Sequence, residues 1–278
     1  MKSLVAFLIA VFCLGAGLSN AGILPDFARR YDDNDQAKMN KQQLKVVALV
    51  VGISEYSFGR LANPTNDARA IAKKFRSFGY NTLEVIDPSR LALLDALKRF
   101  RSMSSNADAA LVYYAGHGVQ SEGANFLIPV DFDPSAENIV LRERAMAVSE
   151  LMDENVLTRI KVVFLDACRN NPFDLTHAGG RGIAVPAMRN LSVGLAPIAV
   201  PGNSQTMISF ATKDGATASD GSEDHSPYTQ SLLKHLDDRV DVVLMLRRVR
   251  QEVMDKTNGQ QQPWDYGSLL GDRIILAK

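Results

Sequence analysis

The run Lys45-Val46-Val47-Ala48-Leu49-Val50-Val51-Gly52-Ile53 is apolar at almost every position and rich in β-branched residues. That is the pattern of a strand buried on both faces. From Asn66 to Phe78 the period changes: Ala68, Ile71, Ala72, Phe75 and Phe78 recur at helical spacing, and Gly79 closes the segment. Thr82 to Ile86 returns to a strand pattern. Asp87-Pro88 offers a capping side chain followed by proline, so a helix carrying Leu91, Leu94, Leu97 and Phe100 is expected to open there. Apolar runs at 109–115, 161–165 and 206–211 predict three further strands. Two more helices are expected near Ser226-Pro227 and near Asp241, and a last apolar segment ends at Ile274-Ile275-Leu276. Strands alternating with helices predict an α/β fold, a three-layer α/β/α sandwich with a mostly parallel central sheet.

The N-terminal end of the chain and one internal stretch depart from this alternation. Met1-Lys2, the apolar run Leu4 to Leu14 and the small residues Ser19-Asn20-Ala21 form a signal-peptide pattern over residues 1–21, too short in its apolar part to span a bilayer. Export to the periplasm or the medium is therefore expected, with no stable membrane insertion once the segment is removed. Residues 22–44 are polar and mixed in charge and read as a linker or N-terminal arm. Residues 45–278 form the folded domain. Within it, 175–205 is rich in Gly and Pro without period, a long loop of the kind that carries function. Its arginines Arg181 and Arg189 are candidate self-cleavage points. Lys plus Arg equals Asp plus Glu at 31 each, so no electrostatic attraction to nucleic acid is expected.

The cysteine count sharpens this picture. Cys13 lies in the apolar leader, which leaves Cys168 as the single thiol of an exported chain and excludes an intramolecular disulfide. It is then a buried small side chain or a working thiol. One strand pattern ends in Tyr113-Tyr114-Ala115-Gly116-His117-Gly118, and another in Phe164-Leu165-Asp166-Ala167-Cys168-Arg169-Asn170. Both reactive residues thus follow apolar strands at their carboxyl ends, where open α/β sheets bind ligands. An imidazole beside a thiol can generate the thiolate nucleophile and protonate a leaving amine. The backbone N–H groups of Gly118 and Cys168 are candidate oxyanion donors.

These two segments resemble the histidine and cysteine motifs of the caspase and metacaspase clan, including the bacterial caspase-like peptidases. His117 and Cys168 stand 51 residues apart, where the caspase signature places its histidine about fifty residues before Q-A-C-[RQG]-G. Here the motif reads Asp-Ala-Cys-Arg-Asn; the Asp before Ala-Cys is similar to metacaspases. Asn66-Asp67-Ala68 and Phe210-Ala211-Thr212-Lys213-Asp214-Gly215 extend the resemblance over roughly Lys45 to Lys278. It implies a caspase-like fold and a cysteine endopeptidase with His117 as base and Cys168 as nucleophile, acting on protein or peptide.

The resemblance also bears on specificity. Asp166 replaces the caspase glutamine, Asp67 matches an acidic wall of the metacaspase S1 pocket, and Asp220 falls where a caspase would hold an arginine. Carboxylates facing one pocket would accept P1 Arg or Lys and repel P1 Asp. The competing readings are that Asp67 complements a helix N-terminus and that Asp220-Gly221 is a turn. Arg60, near a caspase P1-arginine position, is the argument for acidic specificity. His177, His225 and His235 read as surface or capping residues. Many metacaspases use calcium, for which Asp131, Asp133 and Asp174 are candidates, but the paired acids are missing; neither a metal nor another cofactor is predicted, and calcium activation is left open. Two rival functions remain: a non-catalytic caspase-like module that binds peptide, and a thiol redox protein, disfavoured because no second cysteine resolves a mixed disulfide.

Overall fold

A computed structural model describes residues 44–278 apart from 122, 137–139, 154, 169–204, 214, 215, 217, 222 and 272, and at Cys168 the backbone alone. The signal segment, nearly all of the arm, Asp174, His177 and the long loop up to residue 204 therefore lie outside the described residues. Leu44–Lys278 forms one compact unit. Strand β1 (Val46–Gly52) is buried throughout, as its unbroken apolar run requires. It pairs in parallel with β2 (Asn81–Ile86) on one side and β3 (Ala109–Ser121) on the other. Strand β6 (Ile160–Cys168) follows β3 in parallel, and β7 (Gln205–Phe210) follows β6. The order is β2-β1-β3-β6-β7-β8, with β8 (Trp264–Gly267) antiparallel at the edge. Two short strands, β4 (Ala124–Leu127) and β5 (Met146–Ala147), branch from β3.

Helices cover both faces, giving the three layers. On one face α1 (Pro64–Ser77), α4 (Pro227–His235) and α5 (Val242–Lys256) bury Ile71, Phe75, Leu232 and Val249 against Val50, Leu111 and Phe164. On the other, α2 (Arg90–Ser104) buries Leu93, Leu97 and Phe100 against Leu49, Val51 and Val112. Each such side chain, taken fully out of water, contributes about 1.5–3 kcal/mol. A one-turn helix, α3 (Leu141–Arg144), precedes β5. No helix among the described residues is long and apolar enough to cross a membrane.

Two elements differ from the sequence reading. Helix α2 is capped by Ser89, whose Oγ accepts from the Ala92 N–H, and not by Asp87. Asp87 adopts a left-handed φ of 45° and its carboxylate accepts from the N–H groups of Ser54 (2.7 Å) and Glu55 (3.1 Å). Engaged by that loop, it is unavailable to the helix. Strand β3 runs on to Ser121 because it changes partner: its parallel register with β6 ends at His117, and its antiparallel register with β4 starts at Gly118. The segment ending at Leu276 is buried coil without strand pairing; Ile274 and Leu276 fill the α-helical face. Ser226 and Asp241 cap α4 and α5, where each was expected.

Candidate functional site

The last register pair of the parallel β3–β6 ladder is His117 with Cys168, so their Cα atoms sit side by side on strands about 4.8 Å apart. Period-two alternation explains how His117 is held. Ala115 accepts from the Ile53 N–H of the chain leaving β1, at 3.0 Å, so His117, two residues on, turns its backbone groups to the same side. There β1 has already ended. The His117 N–H donates instead to the Tyr56 hydroxyl at 3.0 Å, and the His117 carbonyl accepts from the Ile128 N–H (3.1 Å) and the Tyr114 hydroxyl (2.6 Å).

His117 is 7% exposed. Its Nε2 lies 2.9 Å from the Gly59 carbonyl oxygen, and its Nδ1 is buried with no hydrogen-bond partner among the described residues. A carbonyl only accepts, so Nε2 carries the hydrogen and Nδ1 presents a lone pair. Burial lowers the His117 pKa against the smaller opposing effects of Gly59 and Asp220, which favours the neutral ring. Tyr56 and Phe58 pack on it, with ring centroids 4.5 and 5.5 Å away.

Beside His117, Asp67, Asp166 and Asp220 line one cavity, bounded also by Leu61, Pro64, Gly116 and Ser226. Asp67, at the start of α1, and Asp166, near the end of β6, are buried. Asp166 Oδ2 accepts from Ser226 Oγ (2.5 Å), Thr229 Oγ1 (2.7 Å) and the Tyr113 hydroxyl (3.5 Å). No donor among the described residues reaches its Oδ1. Asp67 meets the His225 Nδ1 at 2.7 Å and the Ser226 N–H at 3.3 Å. Burial first, and then the neighbouring carboxylates, push the Asp67 carboxyl well above the usual range. Asp166 is pushed up by burial against the opposing pull of its hydroxyl donors. Both would be relieved by a cation.

The remaining candidates sort themselves by contact. Asp220 both faces the cavity and holds a turn: its carboxylate accepts from the Ala62 and Asn63 N–H groups. Arg60 pairs with Glu55 at 2.8 Å, both exposed, and is not among the residues lining the cavity. Gly118 lies in β3 opposite Leu127. Asp131 accepts from the Arg90 N–H, 41 residues away at the start of α2, and Asp133 accepts from Ser135 in a local turn. No cluster of three or more metal-ligating side chains occurs among the described residues. His235, read from sequence as a surface or capping residue, is half-buried at the end of α4, its Nδ1 and Nε2 each 2.9 Å from a carboxylate, Asp238 and Glu252. His225, read from sequence in the same way, instead contacts a cavity carboxylate. Tyr56, Gly59, Ser226 and Thr229 were not foreseen as site residues; Ser226-Pro227 carried a signal only as a helix cap.

The chain matches the model of the caspase domain, Peptidase_C14, over residues 45–274. It is 28% identical over 171 residues to the mouse mucosa-associated lymphoid tissue lymphoma translocation protein 1 homolog, and 30% identical over 172 residues to the human protein. Each match covers 60% of this chain and 19% of the relative, so the chain spans only about a fifth of the length of these relatives. Among solved structures it is similar to caspase-1 from Spodoptera frugiperda (TM-score 0.59, 17% identity, 84% of this chain and 90% of that one). It is also similar to a Geobacter sulfurreducens protein (TM-score 0.57, 14% identity, 84% and 97%). At these identities the likeness is one of fold.

Proposed function

Because this chain belongs to the caspase-domain family, we propose that it is a cysteine endopeptidase that cleaves protein or peptide after Arg or Lys. The observation that carries the reading is the state of His117: Nε2 fixed by the Gly59 carbonyl, Nδ1 buried and unpartnered, on the register neighbour of Cys168. A base whose far nitrogen is oriented by an acceptor follows the general logic of catalytic triads. In the first step the Cys168 thiol gives its proton to His117 Nδ1 and the thiolate attacks the scissile carbonyl, forming the C–S bond. The backbone N–H groups of Gly118 and Cys168 are the proposed donors to the oxyanion. Collapse breaks the C–N bond, and the leaving amine takes the proton from His117. Water, deprotonated by the same imidazole, then hydrolyses the thioester.

Three carboxylates around one cavity support a basic P1 residue. Asp166 Oδ1 is the acceptor left open to it, and arginine suits it best because its planar fork bonds carboxylates in pairs. We further propose that the protein works exported from the cytoplasm and needs no cofactor for the chemical step, calcium activation being left open. The test is labelling by an arginyl chloromethylketone followed by mass spectrometry. Stoichiometric alkylation of Cys168 in the wild type, lost in His117→Ala, is the expected result. Peptide binding without any labelling would favour a non-catalytic binding module instead.

A further inference from the structure

We propose that Tyr56 is the positioning residue of the histidine, taking over the role of a missing strand. The inference rests on the dyad reading above. Three observations lead to it. The first is topological: β1 ends at Gly52 and its last link to β3 is the Ile53 N–H to the Ala115 carbonyl, yet His117 needs an acceptor on that side two residues further on. The Tyr56 hydroxyl stands where the β1 carbonyl would have been, accepting from the His117 N–H at 3.0 Å while donating to the Ile128 carbonyl at 3.0 Å.

The second is steric. Gly116 has a φ of 151°, and a Cβ there would lie 2.6 Å from the Tyr56 hydroxyl oxygen and 2.8 Å from that of Tyr114. The glycine before the histidine, which also borders the cavity, therefore makes room for these two hydroxyls. The third is that the same segment grips the imidazole from outside. Ser54 to Leu61 is closed by the Leu61 N–H to the Ser54 carbonyl and anchored on Asp87. From it Tyr56 supplies a ring at 4.5 Å and Gly59 the acceptor for Nε2. One loop thus fixes both the backbone and the ring of His117, and Tyr56 touches both. Burial beside Tyr114 raises the Tyr56 pKa well above its ordinary value, so the hydroxyl keeps the hydrogen it donates.

The experiment compares full-length wild type, Tyr56→Phe and His117→Ala by two readouts. The first is the rate of alkylation of Cys168 by iodoacetamide between pH 5.5 and 8.5, followed on its own peptide; it requires no peptide cleavage. The second is the split between kcat and KM on a P1-Arg peptide. The Phe variant keeps the ring and loses only the hydroxyl. Expected are a fall in Cys168 alkylation at pH 6.5 at least halfway from wild type to His117→Ala, and a kcat at least tenfold lower with KM within twofold, because the acidic cavity is untouched. A Phe variant with a lower melting temperature but wild-type alkylation and kcat would overturn the inference and leave the dyad standing. If wild type and His117→Ala alkylate alike at every pH, the dyad itself fails and the inference falls with it. Should the Phe variant not fold, Tyr114→Phe, which removes the donor to the His117 carbonyl, replaces it. The same drop in alkylation and kcat supports the backbone clamp, and unchanged rates overturn it.

Discussion

At the scale of single residues, the site rests on carboxylates that the fold makes costly. Asp166 is enclosed and bound on one oxygen by two hydroxyls at 2.5 and 2.7 Å. Its other oxygen, which no donor among the described residues reaches, is the one proposed to meet a basic P1 side chain. Removing one partner of a buried charge pair costs about 2–5 kcal/mol, and 2 kcal/mol is about 30-fold in rate. Asp166→Asn should therefore lower kcat/KM for P1-Arg peptides ~30-fold or more while leaving iodoacetamide alkylation of Cys168 near wild type, since the thiol does not depend on the S1 charge. Steady-state kinetics beside the alkylation assay checks this. Equal loss on both readouts would mean that Asp166 supports the fold and not specificity. The donors to Asp166 were hidden in the sequence, because Ser226 and Thr229 lie about sixty residues downstream and were visible only as part of a helix start.

At the scale of elements, the crevice depends on how closely α1 lies against β1. A Cβ at Gly52 would sit 2.4 Å from the Pro64 carbonyl oxygen and 2.5 Å from the Ala68 Cβ, contacts with backbone and a helix face that cannot swing away. Overpacking of this kind costs about 1–3 kcal/mol or more. Gly52→Ala should lose ~3 kcal/mol in urea denaturation and raise KM for P1-Arg peptides, since α1 carries Asp67. An unchanged midpoint would show that the helix can shift freely. The buried strands and amphipathic helices were legible because their apolar periods are long and unbroken, as in Val46–Gly52. The β3–β4 hairpin was not, because Gly116-His117-Gly118 interrupts the apolar run just where the strand changes partner. The Asp87 turn was misread for a related reason: a capping residue before proline looks the same whether its carboxylate turns to its own helix or to a loop 33 residues away.

At the scale of the whole molecule, the acidic cavity sets how stability responds to pH and ligand. Asp67 and Asp166 have folded-state pKa values above their unfolded ones, so the folded chain holds protons that the unfolded chain releases. Stability from this source falls as pH rises above about 4, the ordinary carboxylate range. His117, whose pKa is lowered, acts the other way, removing stability as pH drops below about 6.5. A cation that occupies the cavity should offset the carboxylate term. Agmatine, a guanidinium without a scissile bond, should raise the denaturation midpoint at pH 7.5, by up to about 2.7 kcal/mol at 100 times its Kd, and have little effect in Asp67→Asn/Asp166→Asn. Equal stabilisation of that double variant would place the binding elsewhere.

The central claim, a cysteine peptidase with a cation-selective pocket, is tested most directly by measuring kcat/KM for matched peptides that differ only in P1 Arg or P1 Asp, in wild type and Cys168→Ala. The account predicts hydrolysis of the Arg peptide by the wild type alone, at least 100-fold above the Asp peptide (about 2.7 kcal/mol), and none by Cys168→Ala. Preference for P1 Asp, or turnover that survives in Cys168→Ala, would contradict it.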